Sequence, residues 1–148
     1  MDDINYSNYS NCSNYSNQMQ ISNDKMTKRY DLEERTTKFA EDVIKFAKKI
    51  PITPVTQRII PQLVGSGTGI GSNYCEADDA ESGKDFKHKM GIAKKEARET
   101  KYWLRIVVTA VPELKDEARI LWQEAKELHL IFNSISRKVS AKSLEIRH

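Results

Sequence analysis

One stretch of sequence decides the fold class: residues 86–111, which read FKHKMGIAKKEARETKYWLRIVVTAV. Apolar or small residues recur in it at alternating steps of four and three. These positions are Phe86, Met90, Ala93, Ala97, Thr100, Leu104, Val107 and Val111. This spacing places all of them on one face of an α-helix that packs along a neighbouring helix. Because proline cannot continue a helix, Pro112 ends it, and the stretch predicts a long helix 3.

The same spacing recurs on both sides of this stretch. Upstream it predicts helix 1 over about residues 30–49, ended by Pro51, and downstream it predicts helix 4. The positions are Leu32, Thr36, Phe39, Val43, Phe46 and Ile50 upstream, and Leu114, Ala118, Leu121, Ala125, Leu128, Phe132, Ile135 and Val139 downstream. Short connections favour antiparallel neighbours. The sequence therefore predicts an all-α, up-down-up-down antiparallel four-helix bundle.

The region before helix 3 is ambiguous. Thr53 is a plausible helix N-cap with Pro54 at the first helical position, and the spacing then continues to Ala77. Its positions are Ile60, Leu63, Gly67, Ile70, Tyr74 and Ala77. Against a helix stand Pro61 and the alternating glycines of residues 65–71, since each interior glycine costs roughly 1 kcal/mol relative to alanine. The segment is either a loop or a helix kinked near Pro61 and packed closely along a small-residue face.

A phosphate-binding loop is the functional alternative for residues 65–71. Such loops cradle an anion with backbone N–H groups and usually add a lysine. No Gly-Lys-Ser/Thr follows here, and the Gly-x-Gly-x-x-Gly spacing fails because Ile70 stands three residues after Gly67. A single strand–loop–helix unit would also have no partner strand in a helical chain. The close-packed helix is the favoured interpretation.

Composition fits one soluble domain. The chain has 148 residues, of which 30% are charged and 39% hydrophobic, and no window approaches a membrane span. The start of the chain does not resemble a secretory signal, and Cys12 and Cys75 cannot form a disulfide framework, so we expect a cytoplasmic protein. An Asn-Tyr-Ser repeat fills residues 5–17. We expect a disordered tail over 1–26, the bundle over 27–142 and a frayed end over 143–148.

A basic row on helix 3 is the candidate nucleic-acid-binding site. The net charge is +3, but residues 1–24 hold three aspartates and no Lys or Arg, so the rest of the chain carries +6. The row consists of Lys87, Lys94, Lys101, Arg98 and Arg105. A positive stripe on a rigid rod suits a phosphate backbone. The alternative is a solvated face with i,i+4 pairs such as Lys95 with Glu99.

A second apolar set lies outside the helix seams and is the candidate subunit interface. Its members are Tyr74, Ile92, Tyr102, Trp103, Ile106 and Trp122, together with Ile120 and Ile131. One apolar stripe per helix suffices for a monomeric bundle, so wider faces with Trp and Tyr indicate either a homo-oligomer contact or padding at the edges of the core.

Catalytic and metal-binding patterns are absent from the sequence. The histidines at 88, 129 and 148 are far apart and lack metal-ligand spacing. Acidic residues cluster between Glu76 and Glu81, but no histidine follows a glutamate at the spacing of a di-metal bundle, so we interpret them as a solvated acidic turn. We expect no enzyme activity, no cofactor, no metal and no small-molecule substrate.

Two segments carry a resemblance to a known family. They are residues 65–77 (GSGTGIGSNYCEA) and 95–104 (KEARETKYWL), joined by Glu81-Ser82, Asp85-Phe86 and His88-Lys89. Residues 30–140 thereby resemble the bacterial four-helix-bundle proteins encoded in intervening sequences of large-subunit ribosomal RNA genes. They are also similar to the accessory variability protein of diversity-generating retroelements.

The resemblance implies a fold and a partner class. It places the glycine run inside helix 2, and it implies homopentameric rings without enzyme activity. Pro61 departs from the family pattern, and we expect it to shift the start of helix 2 to about residue 62. The small and polar residues Ser66, Gly67, Gly69, Gly71 and Asn73 would then be packing and capping elements, and Glu96, Glu99, Tyr102 and Trp103 structural. Two functional hypotheses follow: a homo-oligomer that binds RNA or a ribonucleoprotein through helix 3, and a scaffold that recruits a neighbour-encoded enzyme such as a reverse transcriptase.

Overall fold

Four long helices make up the chain from residue 23 to residue 145, which is the part that a computed structural model describes; side chains are described from 32 to 141. The helices are α1 (Asn23–Ala47), α2 (Thr56–Asp78), α3 (Gly83–Ala110) and α4 (Lys115–Glu145). A single 3-10 turn, Pro112–Leu114, joins α3 to α4. Residues 23–145 contain no strand, which confirms the all-α prediction.

Neighbouring helices are antiparallel. Rising residue numbers on one helix meet falling numbers on the next. The close approaches are Thr36–Gly71 and Val43–Gly67 between α1 and α2, Gly69–Glu96 and Glu76–Lys89 between α2 and α3, and Arg35–Glu124 and Lys49–Glu117 between α1 and α4. Together with the α3–α4 contacts, they confirm the up-down-up-down bundle.

The predicted seams form the core. Val43, Leu63, Met90, Leu104 and Phe132 are completely or almost completely buried, as are most other seam positions. Two buried threonines in the seams satisfy their own hydroxyl groups. Thr36 Oγ1 donates to the Glu33 carbonyl at 3.0 Å and Thr100 Oγ1 to the Glu96 carbonyl at 2.8 Å, so neither leaves a buried donor unpaired.

The first and last helices extend beyond the predicted limits. Helix α1 begins at Asn23, earlier than the predicted start near residue 30, because lysine, arginine and methionine at 25–29 are good helix formers even where no seam requires them. It ends at Ala47, yet Ile50 is still buried. Helix α4 continues to Glu145, into the segment predicted to fray. Residues 1–22 of the predicted tail and residues 146–148 at the C-terminus lie outside the part of the chain that the structure describes.

Helix α2 includes Pro61, which corrects the expected start near residue 62. The turn before it is held by reciprocal bonds: Thr56 N donates to Thr53 Oγ1 at 3.1 Å, and Thr53 N donates to Thr56 Oγ1 at 2.8 Å. The Gln57 amide also donates to the Thr53 carbonyl at 2.9 Å. This capping box fixes the chain direction ahead of the proline, so the helix forms despite the amide that Pro61 lacks.

The glycine run is helical throughout, which excludes the phosphate-loop alternative. Its glycines have different neighbours. A Cβ on Gly67 would lie 2.8 Å from Val43 Cγ1, one on Gly71 would lie 3.3 Å from Thr36 Oγ1, and one on Gly65 would meet nothing within 4 Å. Gly67 and Gly71 therefore let α1 approach α2 closely. Asn73 is no cap, since its Nδ2 donates to the Gly69 carbonyl within the helix at 2.8 Å.

Candidate nucleic-acid interface on helices α3 and α4

The basic row runs along the flank of α3 that faces α4. The helix starts at a defined point, because the Ser82 hydroxyl accepts a bond from the Asp85 amide at 3.1 Å. With the core seam fixed, the seven-residue spacing places the row beside it. The exposed members are Lys87, Arg98 and Arg105, and the partly buried ones are Lys94 and Lys101.

Helix α4 adds to this row. Lys101 Nζ lies 3.2 Å from His129 Nδ1, and because an ammonium group has no lone pair, the lysine donates and the imidazole accepts. The same ammonium group lies 6.0 Å from the centre of the Trp122 ring, and Lys126 Nζ lies 5.7 Å from it. Both distances are within the range of cation–π attraction. We call Lys94, Arg98, Lys101, Lys126 and His129 the cationic cluster.

The cluster shifts the protonation of its own members. Burial lowers the pKa of Lys101, and repulsion by Arg98 and Lys126 lowers it further. Burial also lowers the pKa of His129, with additional lowering by Lys101, Lys94 and Arg98. Both shifts oppose positive charge, as expected for partly buried groups beside other cations.

Carboxylates pair with several other cations of the bundle but not with this row. Arg35 is paired with Glu124 at 2.5 Å and Lys95 with Glu99 at 3.8 Å, and Lys89 is paired with Glu76. Across residues 32–141, no carboxylate lies within ion-pair distance of any row member or of Lys126. The row thus differs from a solvated helix face whose lysines and arginines form i,i+4 ion pairs with carboxylates.

The sequence predicted the α3 members of the cluster and missed two on α4. Lys126 and His129 are three residues apart, a spacing that puts them on one helix face. That spacing was the available signal, but only the register of α3 against α4 places them beside Lys101. Lys87 lies further along α3, where it lines a shallow groove with Lys84, His88, Gly91, Ile92 and Lys95.

The predicted interface residues do not form one surface. Tyr74 belongs to the core of the chain instead, because it is 7% exposed and its ring packs 6.0 Å from that of Phe132. Trp122 lies within the basic flank. The others, Ile92, Tyr102, Trp103 and Ile106, are on α3. Trp103 follows Glu96 by one heptad, and since Glu96 packs against Gly69, Trp103 lies on the side of α3 that faces α2. Ile92, in contrast, lines the same groove as Lys87 of the basic row.

Neither a membrane span nor a metal cluster is found in the described part of the chain. None of its helices is apolar enough over sufficient length to cross a bilayer. Between residues 32 and 141, His, Cys, Asp and Glu side chains do not gather in groups of three or more that could hold a metal ion. The acidic residue Glu76 is instead paired with Lys89.

The fold and the flank define an antiparallel four-helix bundle with a cationic surface formed by two of its helices. The chain belongs to the 23S rRNA-intervening sequence protein family, whose model matches residues 28–139. It is also similar to a protein of unknown function from the S23 ribosomal protein family of Bacteroides thetaiotaomicron, known from a crystal structure. The two chains are 28% identical with a TM-score of 0.65, over 74% of this chain and 98% of the other. No functionally curated protein matches.

Proposed function

We propose that this chain is a non-catalytic homo-oligomer that binds RNA through the basic row of α3 and the cationic cluster. The observation that carries the proposal is a group of basic side chains gathered on one flank with no carboxylate at ion-pair distance within residues 32–141, whereas Arg35, Lys49 and Lys89 are each paired. The family name refers to an intervening sequence of 23S rRNA, which makes RNA the partner to test first.

The row has the length and charge that phosphate recognition requires. Lys87 and Arg105 are eighteen residues apart on one helix, a separation of roughly 27 Å at 1.5 Å per residue. Cations spread over that distance can contact several successive phosphates. Binding of this kind releases counterions, so the affinity falls steeply as salt rises and depends little on base sequence.

Charge reversal tests the row directly. We expect the triple variant Lys94→Glu, Arg98→Glu and Lys101→Glu to weaken RNA binding by at least about tenfold and to flatten the salt dependence of affinity. Fluorescence anisotropy with labelled RNA measures both quantities, and circular dichroism checks helicity.

The matched control makes the same change in net charge at three exposed basic residues outside the row. Lys48, Arg58 and Arg137 are exposed and have no ion pair among the described residues. The variant Lys48→Glu, Arg58→Glu and Arg137→Glu should therefore bind RNA much more tightly than the row variant. Equal losses in the two variants would mean that only net charge matters, and the row would then have no special role.

The aromatic and aliphatic side chains of α3 outside the core seam are the proposed contact between subunits. They are Ile92, Tyr102, Trp103 and Ile106, with Tyr102 56% exposed and its ring 5.0 Å from that of Trp103. An exposed tyrosine against a half-buried tryptophan, beside aliphatic residues, is typical of the centre of an interface. The family resemblance implies a pentamer. Light scattering with and without RNA tests the mass, and Tyr102→Asp with Ile106→Asp should reduce it.

A protein-recruiting scaffold is the second candidate. Its favouring observation is the exposure of Ile52, Val55, Ile120 and Leu130, each more than half exposed. The partner would be a neighbour-encoded enzyme such as a reverse transcriptase. Association that survives nuclease treatment and is lost in Ile120→Asp would favour this function over RNA binding.

A further inference from the structure

An open cleft lies between α3 and α4, next to the 3-10 turn that joins them. Its volume is about 600 Å³, within the range of small-ligand sites. The lining residues are Leu104, Arg105, Val108, Lys115, Ala118, Arg119 and Trp122. Neither phosphate binding by the row nor the proposed subunit contact requires this combination of a hydrophobic floor and a cationic rim.

The lining indicates the chemistry of the occupant. Leu104, Val108 and Ala118 supply an apolar floor, and the half-buried indole ring of Trp122, with Lys101 and Lys126 beside it, supplies an aromatic surface. Three cationic side chains, Arg105, Lys115 and Arg119, stand around them, and no acidic residue lines the cleft. A planar aromatic group that carries an anion fits this arrangement, since the ring can stack on the indole while guanidinium groups bind the anion.

The cleft is continuous with the basic row. Arg105 is a member of both, and the Trp122 ring lies 6.0 Å from Lys101 Nζ in the cationic cluster. A strand whose phosphates follow the row towards the α3–α4 turn would therefore arrive at the cleft with a base beside the indole. An unpaired base can enter, whereas a base held in a duplex is already stacked and presents no free ring face.

We propose that this cleft receives one unstacked base of single-stranded RNA, with the base against Trp122 and its phosphate against Arg105 and Arg119. This inference rests on the proposed RNA-binding function and gives it a preference for unpaired segments. The basic row alone contacts phosphates, which single strands and duplexes both have, so it would distinguish the two less than the row and the cleft together.

The test compares a single-stranded oligoadenylate with an RNA duplex of the same length. Trp122→Leu keeps an apolar side chain against the core but removes the stacking surface. We expect it to weaken single-strand binding by roughly 5- to 100-fold, the effect of losing one base–aromatic stack, and to change duplex binding by less than about twofold. Trp122→Phe should recover most of the single-strand affinity, because phenylalanine retains an aromatic face.

Charge variants separate the cleft from general electrostatics. Arg119→Gln should weaken single-strand binding more than duplex binding, whereas Arg137→Gln, exposed on the same helix and outside the lining, should leave the ratio of the two affinities unchanged. In a Trp103→Phe background the remaining indole reports occupancy, and its emission should be quenched by oligoadenylate.

Three results would overturn the proposal. If Trp122→Leu leaves single-strand affinity intact while reversal of the row abolishes it, the cleft is not a base site, although the row still binds RNA. If Trp122→Leu lowers the oligomer mass in light scattering without affecting RNA binding, the cleft is a protein contact. If the unmodified protein binds neither RNA, the proposed function fails together with the cleft.

Discussion

At the residue scale, Gly67 shows how one missing side chain sets the distance between two helices. Its Cα faces Val43, which is completely buried and cannot move aside without disturbing the core. Gly65, two residues earlier, has open space around the same position. Two glycines of one run thus have opposite roles, a difference that the sequence pattern alone does not show.

We therefore expect Gly67→Ala and Gly65→Ala to change stability in opposite directions. Gly67→Ala would force a methyl group against Val43 and lower the free energy of unfolding by about 1–3 kcal/mol. Gly65→Ala should raise it by about 0.5–1 kcal/mol, because alanine favours a helix and meets no neighbour. Urea denaturation measures both. Similar changes in the two variants would contradict the assigned α1–α2 contact.

His129 gives the RNA interface a pH dependence. Burial and the cations Lys101, Lys94 and Arg98 hold its pKa below the ordinary value of 6.5, so in the free protein the imidazole is protonated less readily than an ordinary histidine. Lys126, from the same helix, belongs to the same cluster. Phosphates bound there would offset these cations and raise the pKa of His129, so binding takes up a proton. We expect RNA affinity to increase as the pH falls below 6.5, by at most about tenfold per pH unit.

The His129→Gln variant checks the assignment. It should remove most of this pH dependence in anisotropy titrations, whereas His88→Gln, near the start of α3 and outside the cationic cluster, should not. Without RNA, acidification has the opposite effect on the free energy of unfolding. Because the pKa of His129 is lower in the folded protein than in the unfolded chain, the unfolded chain binds the proton more readily, and stability falls as the pH drops through about 6.5. An RNA affinity that declines on acidification would contradict a role for His129 at the interface.

At the element scale, α2 forms against its own intrinsic preferences. It contains four glycines and Pro61, and its first turn depends on the Thr53–Thr56 capping box. Thr56 is 2% exposed, and its Oγ1 also donates to the Pro51 carbonyl at 2.5 Å. Packing against α1 and α3 therefore has to offset the low helix propensity of this segment.

The substitution Pro61→Ala tests this account. Pro61 is exposed and lacks the amide that would bond to the Gln57 carbonyl, so an alanine restores a helix bond without loss of core contacts. We expect the free energy of unfolding to rise by about 1–3 kcal/mol. In the turn before α2, Pro54→Ala serves as the control and should give no gain, because a proline there matches the start of a helix. Loss of stability in Pro61→Ala would show that the ring has a structural contact.

At the scale of the whole molecule, ion pairs close the bundle between its first and last helices. The Arg35 guanidinium contacts Glu124 through two bonds of 2.5 and 2.9 Å and reaches Glu127 at 2.6 Å. Further along, Lys49 is paired with Glu117 at 2.5 Å. Hydrogen bonding to Glu124 and Glu127 raises the pKa of Arg35, despite partial burial that opposes it.

We expect Arg35→Gln to lower the free energy of unfolding by about 1 kcal/mol at low salt, at the upper end for a partly exposed pair because the contact is bidentate. High salt should reduce the difference, since it screens the pair. Thermal unfolding at two salt concentrations measures this. Lys38→Gln is the control: its pair with Asp42 lies within α1, so its effect should be smaller. A larger effect of Lys38→Gln would argue against closure by Arg35.

The sequence by itself determined helices α1, α3 and α4 and the buried faces of the bundle. The four/three spacing is a local property of the chain, and it identified Val43, Leu63, Met90 and Leu104 as core positions because any helix with that spacing has one apolar side. It also identified the basic row, since lysines seven residues apart share a face.

Tertiary structure decided everything that depends on two helices at once. Residues 65–71 are helical because α1 and α3 pack against them, although their propensity favours a loop. Tyr74 is a core residue because Phe132 of α4 lies against it. His129 and the Trp122 cleft join the basic row because of the register of α3 against α4, and register is set by side-chain packing between residues far apart in the chain, which no local pattern encodes.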